Sequence, residues 1–348
     1  MTYFPLLISA IKRETIDCQT VLFKLPLELK NLFSWQAGQY VQVKFDIKGE
    51  EQTRCFSITS MPGSETLALT VKSNGKGGVS DYMNQLLEKG QRVNVSLPLG
   101  QFSISPDVTR HTTYYFIAAG SGITPIYNMV LTLLTQEPFC VVNLLYGTRN
   151  QELTIFWKQL HDLQLRFEER LHLNYCFSET DWFGYHPWAK GRIDQEMAQS
   201  FIQEFEAKSD DVKFYLCGPG DFIDNLNQGL LQLGMRKEQI FFERYQVQAS
   251  EEEASIGMAA ELLLDLAGHE YHLQVKPGQT LLACMQQAGL PVPYSCQSGV
   301  CGTCVCQLLE GDVTMLNNIA LDESQLTKRK ILACQSLATT KQVRIHYD

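Results

Sequence analysis

Along the first hundred residues the apolar positions fall in short runs rich in β-branched and aromatic side chains, broken by turns that contain Gly or Pro. That pattern predicts strands over 6–11, 20–25, 40–45, 54–58, 67–72 and 92–97, which close most simply as a small antiparallel barrel. Residues 80–88 are the exception. They follow Gly77 and Gly78 and are predicted as a helix.

From about Thr109 the rhythm changes. Apolar strands predicted over 114–119, 141–146, 171–177, 212–216 and 240–242 alternate with helical segments near 125–135, 152–161, 194–207 and 220–233, as in a doubly wound parallel sheet. The run from Gln246 to Ser255 is polar and acidic without periodicity and reads as a linker. Beyond it, a hairpin over 261–266 and 270–275, a helix near 280–288 and short strands at 305–309 and 343–346 predict a small α+β domain. The expected division is a barrel domain over 1–108, an α/β domain over 109–247, a linker over 248–256 and a C-terminal domain over 257–348.

The 348 residues are 45% hydrophobic and 19% charged, enough apolar surface for several packed cores and too much for a disordered chain. The net charge is −9 with no strongly basic stretch, which argues against a nucleic-acid partner. The longest apolar runs, such as 114–119, stop far short of the roughly 18 residues a membrane span needs. Near the N-terminus, Lys12 and Arg13 follow the short apolar run instead of preceding it, the reverse of a secretory signal. A cytoplasmic protein with no integral membrane segment is expected.

Eleven cysteines, an odd number with four of them between Cys296 and Cys306, suit a metal site in a reducing compartment better than a disulfide framework. Cys296, Cys301 and Cys304 stand as C-x4-C-x2-C, with 29 residues between Cys304 and Cys334. This is the plant-type spacing for a [2Fe-2S] cluster, in which four thiolates hold two irons inside a tightly wrapped loop. Ser295, Ser298, Gly299, Gly302 and Thr303 are small enough to permit the wrapping. Zinc is the competing metal, but it usually takes paired C-x2-C units and only one is present. Cys306 falls on an expected strand and reads as a core thiol, as do Cys18, Cys55, Cys140, Cys176 and Cys284.

The run Cys296-Gln-Ser-Gly-Val-Cys301-Gly-Thr-Cys304, followed by Ile331-Leu-Ala-Cys334-Gln, resembles a plant-type ferredoxin domain of β-grasp type covering about the last 90 residues. The order of the motifs upstream resembles the ferredoxin-NADP reductase superfamily, so the likeness spans essentially the whole chain. Within it, the chain is most similar to reductase components that carry a C-terminal ferredoxin, such as those of phenylacetyl-CoA epoxidases and other oxygenases.

This resemblance implies a flavin on the barrel. Arg54-Cys55-Phe56-Ser57 stands where the superfamily has Arg-x-Tyr-Ser, so Arg54 is expected to hold a pyrophosphate oxygen, Phe56 to lie against the isoalloxazine, and Ser57 to reach flavin N5. Phe56 lacks the hydroxyl of the usual Tyr and keeps the stacking surface. Gly77, Gly78, Val79 and Ser80 match the pyrophosphate loop Gly-x-x-Ser, where glycines let the backbone approach and a helix start offers N–H groups to phosphate. FAD is the implied form; FMN, which phthalate dioxygenase reductase carries on the same domain order, stays open.

Gly120-Ser121-Gly122-Ile123-Thr124-Pro125 follows a predicted strand and opens a helix, with Pro125 suited to the first helical position. It matches the superfamily's Gly-x-Gly-x-Thr-Pro, so Gly120, Gly122, Thr124 and Pro125 are expected to bind a nicotinamide dinucleotide. Tyr146-Gly147-Thr148-Arg149, Ser178 and Cys217-Gly218-Pro219 follow in the family's order, and the resemblance puts Cys217 beside the nicotinamide where hydride leaves. Glu243 and Tyr245 resemble the closing segment, an acid and an aromatic facing the flavin. Ser57, Cys217 and Glu243 are thus the expected catalytic residues.

Hydride carries an electron pair and a plant-type cluster carries one electron, so a flavin between them implies a two-to-one-electron converter. The expected function is an NAD(P)H-dependent reductase feeding a separate oxygenase, hydroxylase or desaturase. A hybrid-cluster protein as acceptor, or a redox-sensing subunit without turnover of its own, is the alternative. In NADPH-preferring relatives a Ser-Arg pair after the third sheet strand holds the 2′-phosphate, whereas here Ser178 is followed by Glu179, a like charge to phosphate. NADH is therefore expected, while Arg149 keeps NADPH open. The ratio of kcat/KM for the two coenzymes checks this: NADH should be favoured, and a tenfold preference for NADPH, about 1.4 kcal/mol, would overturn it.

Overall fold

The computed structural model describes residues 2–47, 49–75, 78–179, 190–244, 257–294, 299, 302–318, 320–321 and 323–347. The chain forms two compact units, Met1–Tyr245 and Gln246–Asp348. The linker expected over 248–256 lies outside the described residues.

The first unit opens with β1 (Tyr3–Thr15), β2 (Cys18–Lys24), β3 (Tyr40–Ile47), β4 (Glu50–Ser57), β5 (Thr66–Lys72) and β6 (Arg92–Ser96), antiparallel in the order β4-β3-β6-β1-β2-β5. Just past β4, Ile58 bridges to Leu69 and the Thr59 N–H donates to the Ala68 carbonyl at 2.9 Å. Those bonds join the two edge strands and make the expected barrel. Residues two apart point the same way along a strand, so Leu6 with Ile8, Val41 with Val43 and Val93 with Val95 fill its interior. The helix α1 (Val79–Gln85) is shorter than the expected 80–88, and it adds Val79 and Met83 to the same core.

The parallel sheet follows: β7 (Thr112–Ala119), β8 (Val141–Thr148), β9 (Leu171–Phe177), β10 (Asp211–Gly218) and β11 (Ile240–Arg244), in the order β11-β10-β7-β8-β9. Helices α2 (Ile123–Gln136), α3 (Trp157–Arg166), α4 (Gln195–Glu204) and α5 (Gly220–Gln232) cover it. Central strand β7 is buried almost throughout because helices pack on both faces. Tyr114, Phe116 and Ala118 share one core with α2 and α3; Tyr115 and Ile117 share the other with Phe201 and Ile223. Helix α3 starts five residues later than expected. Gln151–Leu153 forms a separate turn capped by the Asn150 side chain, and Phe156 takes a left-handed φ of 63° before the helix begins. Such a conformation strains a residue with a side chain; here the Phe156 ring stacks on Tyr127 at 4.2 Å.

Barrel and parallel sheet are not separate bodies. Ala37, Phe102 and Ile104 from the barrel region pack in one cluster with Met129 and Leu133 of α2. A Cβ on Gly38, at φ +100°, would stand 2.4 Å from the Phe102 carbonyl oxygen and 2.2 Å from the Met129 methyl. Fully buried Asn128 of α2 donates from Nδ2 to the Ile58 carbonyl at 2.9 Å.

In the second unit, β12 (Ala260–Leu266) and β13 (His269–Val275) form the expected hairpin, joined by β14 (Val305–Glu310), β15 (Val313–Met315), β16 (Lys330–Leu332), β17 (Ser336–Ala338) and β18 (Gln342–Tyr347). Five strands order as β13-β12-β18-β14-β16, with β12 and β18 parallel, and β15 pairs β17 as a separate ribbon. The helix Leu281–Gln287 contributes Leu281, Leu282 and Met285 to the core of this β-grasp sheet. Among the described residues no helix is long and apolar enough to cross a membrane.

Asn128→Ala should lower stability by about 1–3 kcal/mol, the range for stranding a buried carbonyl. Denaturant midpoints check it. An unchanged midpoint would show that the Ile58 bond holds nothing.

Candidate functional site

Strand β4 carries Arg54, Phe56 and Ser57, paired to Val43, Val41 and Tyr40 of β3. Arg54 is exposed, and its guanidinium donates to the Thr53 carbonyl at 2.8 Å. Phe56 is half-buried and Ser57 buried. Cys55 between them is half-buried, less enclosed than the core thiol expected there. Gly78 immediately precedes α1, and a Cβ on it would meet nothing within 4 Å, which leaves room for a ligand against this backbone. Val79 is buried beneath it and Ser80 half-buried. Gly77 lies outside the described residues.

The loop before α1 is tied down by a residue the motifs did not single out. Buried Asp81 accepts from the N–H groups of Asn74 and Gly75 at 3.1 and 3.0 Å and from the Ser73 hydroxyl. Asn84, one turn on, donates to the carbonyls of Val71 at 3.0 Å and Ser80 at 2.8 Å. An acid in the first turn of a helix after a glycine loop is the sequence signal that could have found Asp81.

At the carboxyl end of β7, Gly120–Gly122 makes one tight turn that runs straight into α2. Gly120 has φ +56° with open space where a side chain would stand. Gly122 has none: a Cβ there would lie 2.1 Å from the Cys217 carbonyl oxygen. The loop is thereby seated on the end of β10. Thr124 closes it by donating to the Ser121 carbonyl at 3.0 Å. Pro125 is the third residue of α2, not the first as expected, because the turn at 120–122 brings the helix start forward to Ile123. It is tolerated there because the first four N–H groups of a helix have no partner within it.

Tyr146 is fully buried, and its hydroxyl donates to the Gly120 carbonyl at 3.0 Å, so it supports the loop from behind. Burial drives its phenol well above the ordinary range and keeps the proton on the oxygen. Gly147 admits Ile193 against the strand, where a Cβ would stand 2.9 Å from its terminal methyl. Arg149 ion-pairs with Asp17 at 3.2 Å. Ser178 and Glu179 are exposed at the end of β9, their N–H groups donating to the carbonyls of Thr148 at 3.1 Å and Arg149 at 2.8 Å.

Strand β10 ends in Cys217 and Gly218, and Pro219 caps α5. Cys217 and Glu243 are both buried and stand side by side in register, with Ala118 flanking Cys217 on the other strand. The sheet reverses its strand order between β7 and β10, and the loops after those two strands flank that point, where open α/β sheets bind nucleotides. A cavity of about 490 Å³ lined by Val141, Asn143, His172 and the 203–208 segment lies near the opposite, amino ends of β8 and β9 and takes no part in this arrangement. Tyr245 lies outside the described residues.

In the second unit Cys304 and Cys334 are buried in one core and brought together by the Ala333 N–H, which donates to the Cys304 carbonyl at 3.1 Å. Gly299 at φ +77° would set a Cβ 2.7 Å from the Asn317 carbonyl oxygen, and Gly302 sits at φ +70°. Only glycine suits both positions, and left-handed turns of this kind present backbone N–H groups to an anion. Those features fit a thiolate-bound cluster. Cys296 and Cys301 lie outside the described residues. Cys306 is a core thiol, pushed up to about 12 by burial.

Three family models match consecutive stretches: an oxidoreductase FAD-binding domain over 6–104, an oxidoreductase NAD-binding domain over 116–228 and a 2Fe-2S iron-sulfur cluster binding domain over 264–339. The 1,2-phenylacetyl-CoA epoxidase of Escherichia coli (strain K12) has a subunit that is 31% identical over 100% of this chain and 98% of its own length. The ferredoxin reductase component of the 3-ketosteroid-9-alpha-monooxygenase of Rhodococcus rhodochrous is 31% identical over 98% of this chain and 96% of its own. Phthalate dioxygenase reductase shares the fold, with a TM-score of 0.62 at 22% identity covering 99% of this chain and 98% of that one. With FAD-binding, NAD-binding and [2Fe-2S] domains in that order, the chain belongs to the oxygenase reductase components of the ferredoxin-NADP reductase superfamily.

Proposed function

We propose that this oxidoreductase takes hydride from NADH and hands the electrons one at a time to a separate oxygenase, hydroxylase or desaturase in the cytoplasm. The observation that carries the reading is the seating of Gly122 on the Cys217 carbonyl, which gathers the dinucleotide loop and the Cys217 strand end at one point. The flavin held on the barrel would supply the conversion from an electron pair to single electrons that a [2Fe-2S] domain on the same chain requires. The acceptor follows from the relatives, whose names make them parts of an epoxidase and a monooxygenase.

In this reading Arg54 and the backbone of Gly77, Gly78, Val79 and Ser80 hold the flavin pyrophosphate, Phe56 covers the ring, and the Ser57 hydroxyl bonds N5. Gly120, Gly122, Thr124 and Pro125 hold the dinucleotide, with Tyr146 and Gly147 beneath. Cys217, Gly218 and Pro219 meet its nicotinamide end. Glu243 and Tyr245 close the flavin side, and Cys296, Cys301, Cys304 and Cys334 hold the two irons.

Cys334→Ser should strip iron from the purified chain while leaving flavin absorbance and NADH-driven ferricyanide reduction in place; two irons per chain in the variant would sink the ligand assignment. For the carrying observation, Gly122→Ala must push the loop off β10. A displacement near 1 Å at a reacting geometry costs about a hundredfold in rate, so kcat/KM for NADH should fall by about that factor with flavin content unchanged. Wild-type kinetics in this variant would refute the role given to the contact.

A further inference from the structure

The first residue after β8 is Arg149, and its carbonyl accepts the Glu179 N–H at the end of the neighbouring strand β9. At this corner of a dinucleotide-binding sheet an acidic side chain takes the ribose 2′-hydroxyl of NAD, whereas an arginine takes the 2′-phosphate of NADP. The chain has one of each here. Which coenzyme it accepts therefore depends on where the arginine is held.

Arg149 is held by the barrel. Its Nη2 lies 3.2 Å from Oδ2 of Asp17, which sits in the tight turn between β1 and β2, and the Lys72 ammonium lies 3.6 Å from the same oxygen. Asp17 is itself fixed: the Thr15 hydroxyl donates to Oδ1 at 2.7 Å, and its carbonyl accepts the Ser73 N–H at 2.8 Å. Its side chain is 22% exposed, against 48% for Arg149, so the carboxylate is the anchored partner and the arginine the one drawn to it. Nearby on β1, Glu14 accepts from Gln159 Nε2 at 2.9 Å, a second tie to the coenzyme half of the unit.

We infer that Asp17 is a positioning residue that withholds Arg149 from the coenzyme's 2′ position and so sets the preference for NADH over NADPH. A 2′-phosphate would have to draw Arg149 away from Asp17 and then sit among the carboxylates of Asp17 and Glu179. A 2′-hydroxyl needs no cation and meets Glu179 as an acceptor. The inference rests on the proposed seating of the coenzyme at Gly120–Gly122, and it places a determinant of that seating on the flavin barrel, outside the nucleotide-binding half.

The test uses the full-length, flavin- and iron-loaded protein and two probes, 2′,5′-ADP and 5′-ADP, titrated by calorimetry, alongside kcat/KM for NADPH and NADH. Asp17→Asn keeps the shape and the Thr15 contact and removes the charge. Exposed ion pairs are modest in strength, so affinity for 2′,5′-ADP should rise about three- to fivefold, with 5′-ADP unchanged, and the NADPH/NADH ratio should move by the same factor. Adding Arg149→Ala should abolish the gain. Asp17→Ser, a second neutral variant checked for flavin content and melting temperature, should behave as Asp17→Asn does. An equal loss for both nucleotides would make the ion pair a mere latch and overturn the inference. A gain that survives Arg149→Ala would overturn it too. If the wild-type protein binds neither probe and oxidises neither coenzyme, the proposed function itself falls and the inference with it.

Discussion

No side chain fits between Gly122 and the carbonyl of Cys217, where a Cβ would stand at 2.1 Å, and the coenzyme end of the first unit is built around that contact. It fixes the starting point of α2 against β10. Six residues along, about 9 Å up the helix axis at the usual rise, Asn128 reaches the Ile58 carbonyl beside the flavin motif, and Met129 packs against Gly38 of the barrel. A shift of the glycine loop would therefore be carried by a rigid helix to the strand that bears Ser57. In the proposed reading, the two halves of the hydride-transfer site are thus tied to one length by a single secondary-structure element.

The loops around this element are fixed by buried polar side chains that bond to backbone. Tyr146 holds Gly120, Asp81 gathers the N–H groups of Asn74 and Gly75, and Asn84 links Val71 with Ser80. A buried polar group without a partner costs about 1–3 kcal/mol, while a satisfied bond gains less. Such contacts therefore discriminate among loop positions more strongly than they stabilise the unit as a whole. That is the property a ligand cradle needs, since its glycines have no side chains of their own to lock them.

How far this was legible in the sequence differs by element. The alternating barrel strands and the apolar strands of the parallel sheet reveal themselves because burial on one face or two writes a period into the sequence, as in β7. The glycine and cysteine motifs are legible because their chemistry demands particular residue types at fixed spacing. What escaped depends on partners distant in sequence. Three-residue strands such as β15 and β17 have too few positions to show a period and exist through their pairing with each other. The late start of α3 turns on Phe156, whose left-handed backbone is stabilised by a ring from another helix. Asp17 and Asn128 carry no motif, because their importance comes from the barrel meeting the sheet.

The cysteines pose the same question in chemical form: with eleven thiols, the fold must decide which become ligands. A metal ligand has to be a thiolate. Burial raises Cys140 to about 12 and Cys176 to about 11, and Cys18 higher still with Glu14 and Asp17 nearby, so these stay protonated at any physiological pH. Cys304 and Cys334 are buried as well. Ahead of Cys304, Gly299 and Gly302 take left-handed backbone, a conformation of the kind that presents N–H groups to an anion and offsets the desolvation of a negative charge. At Gly299 a Cβ would stand 2.7 Å from the Asn317 carbonyl oxygen, so that turn is closed to any other residue.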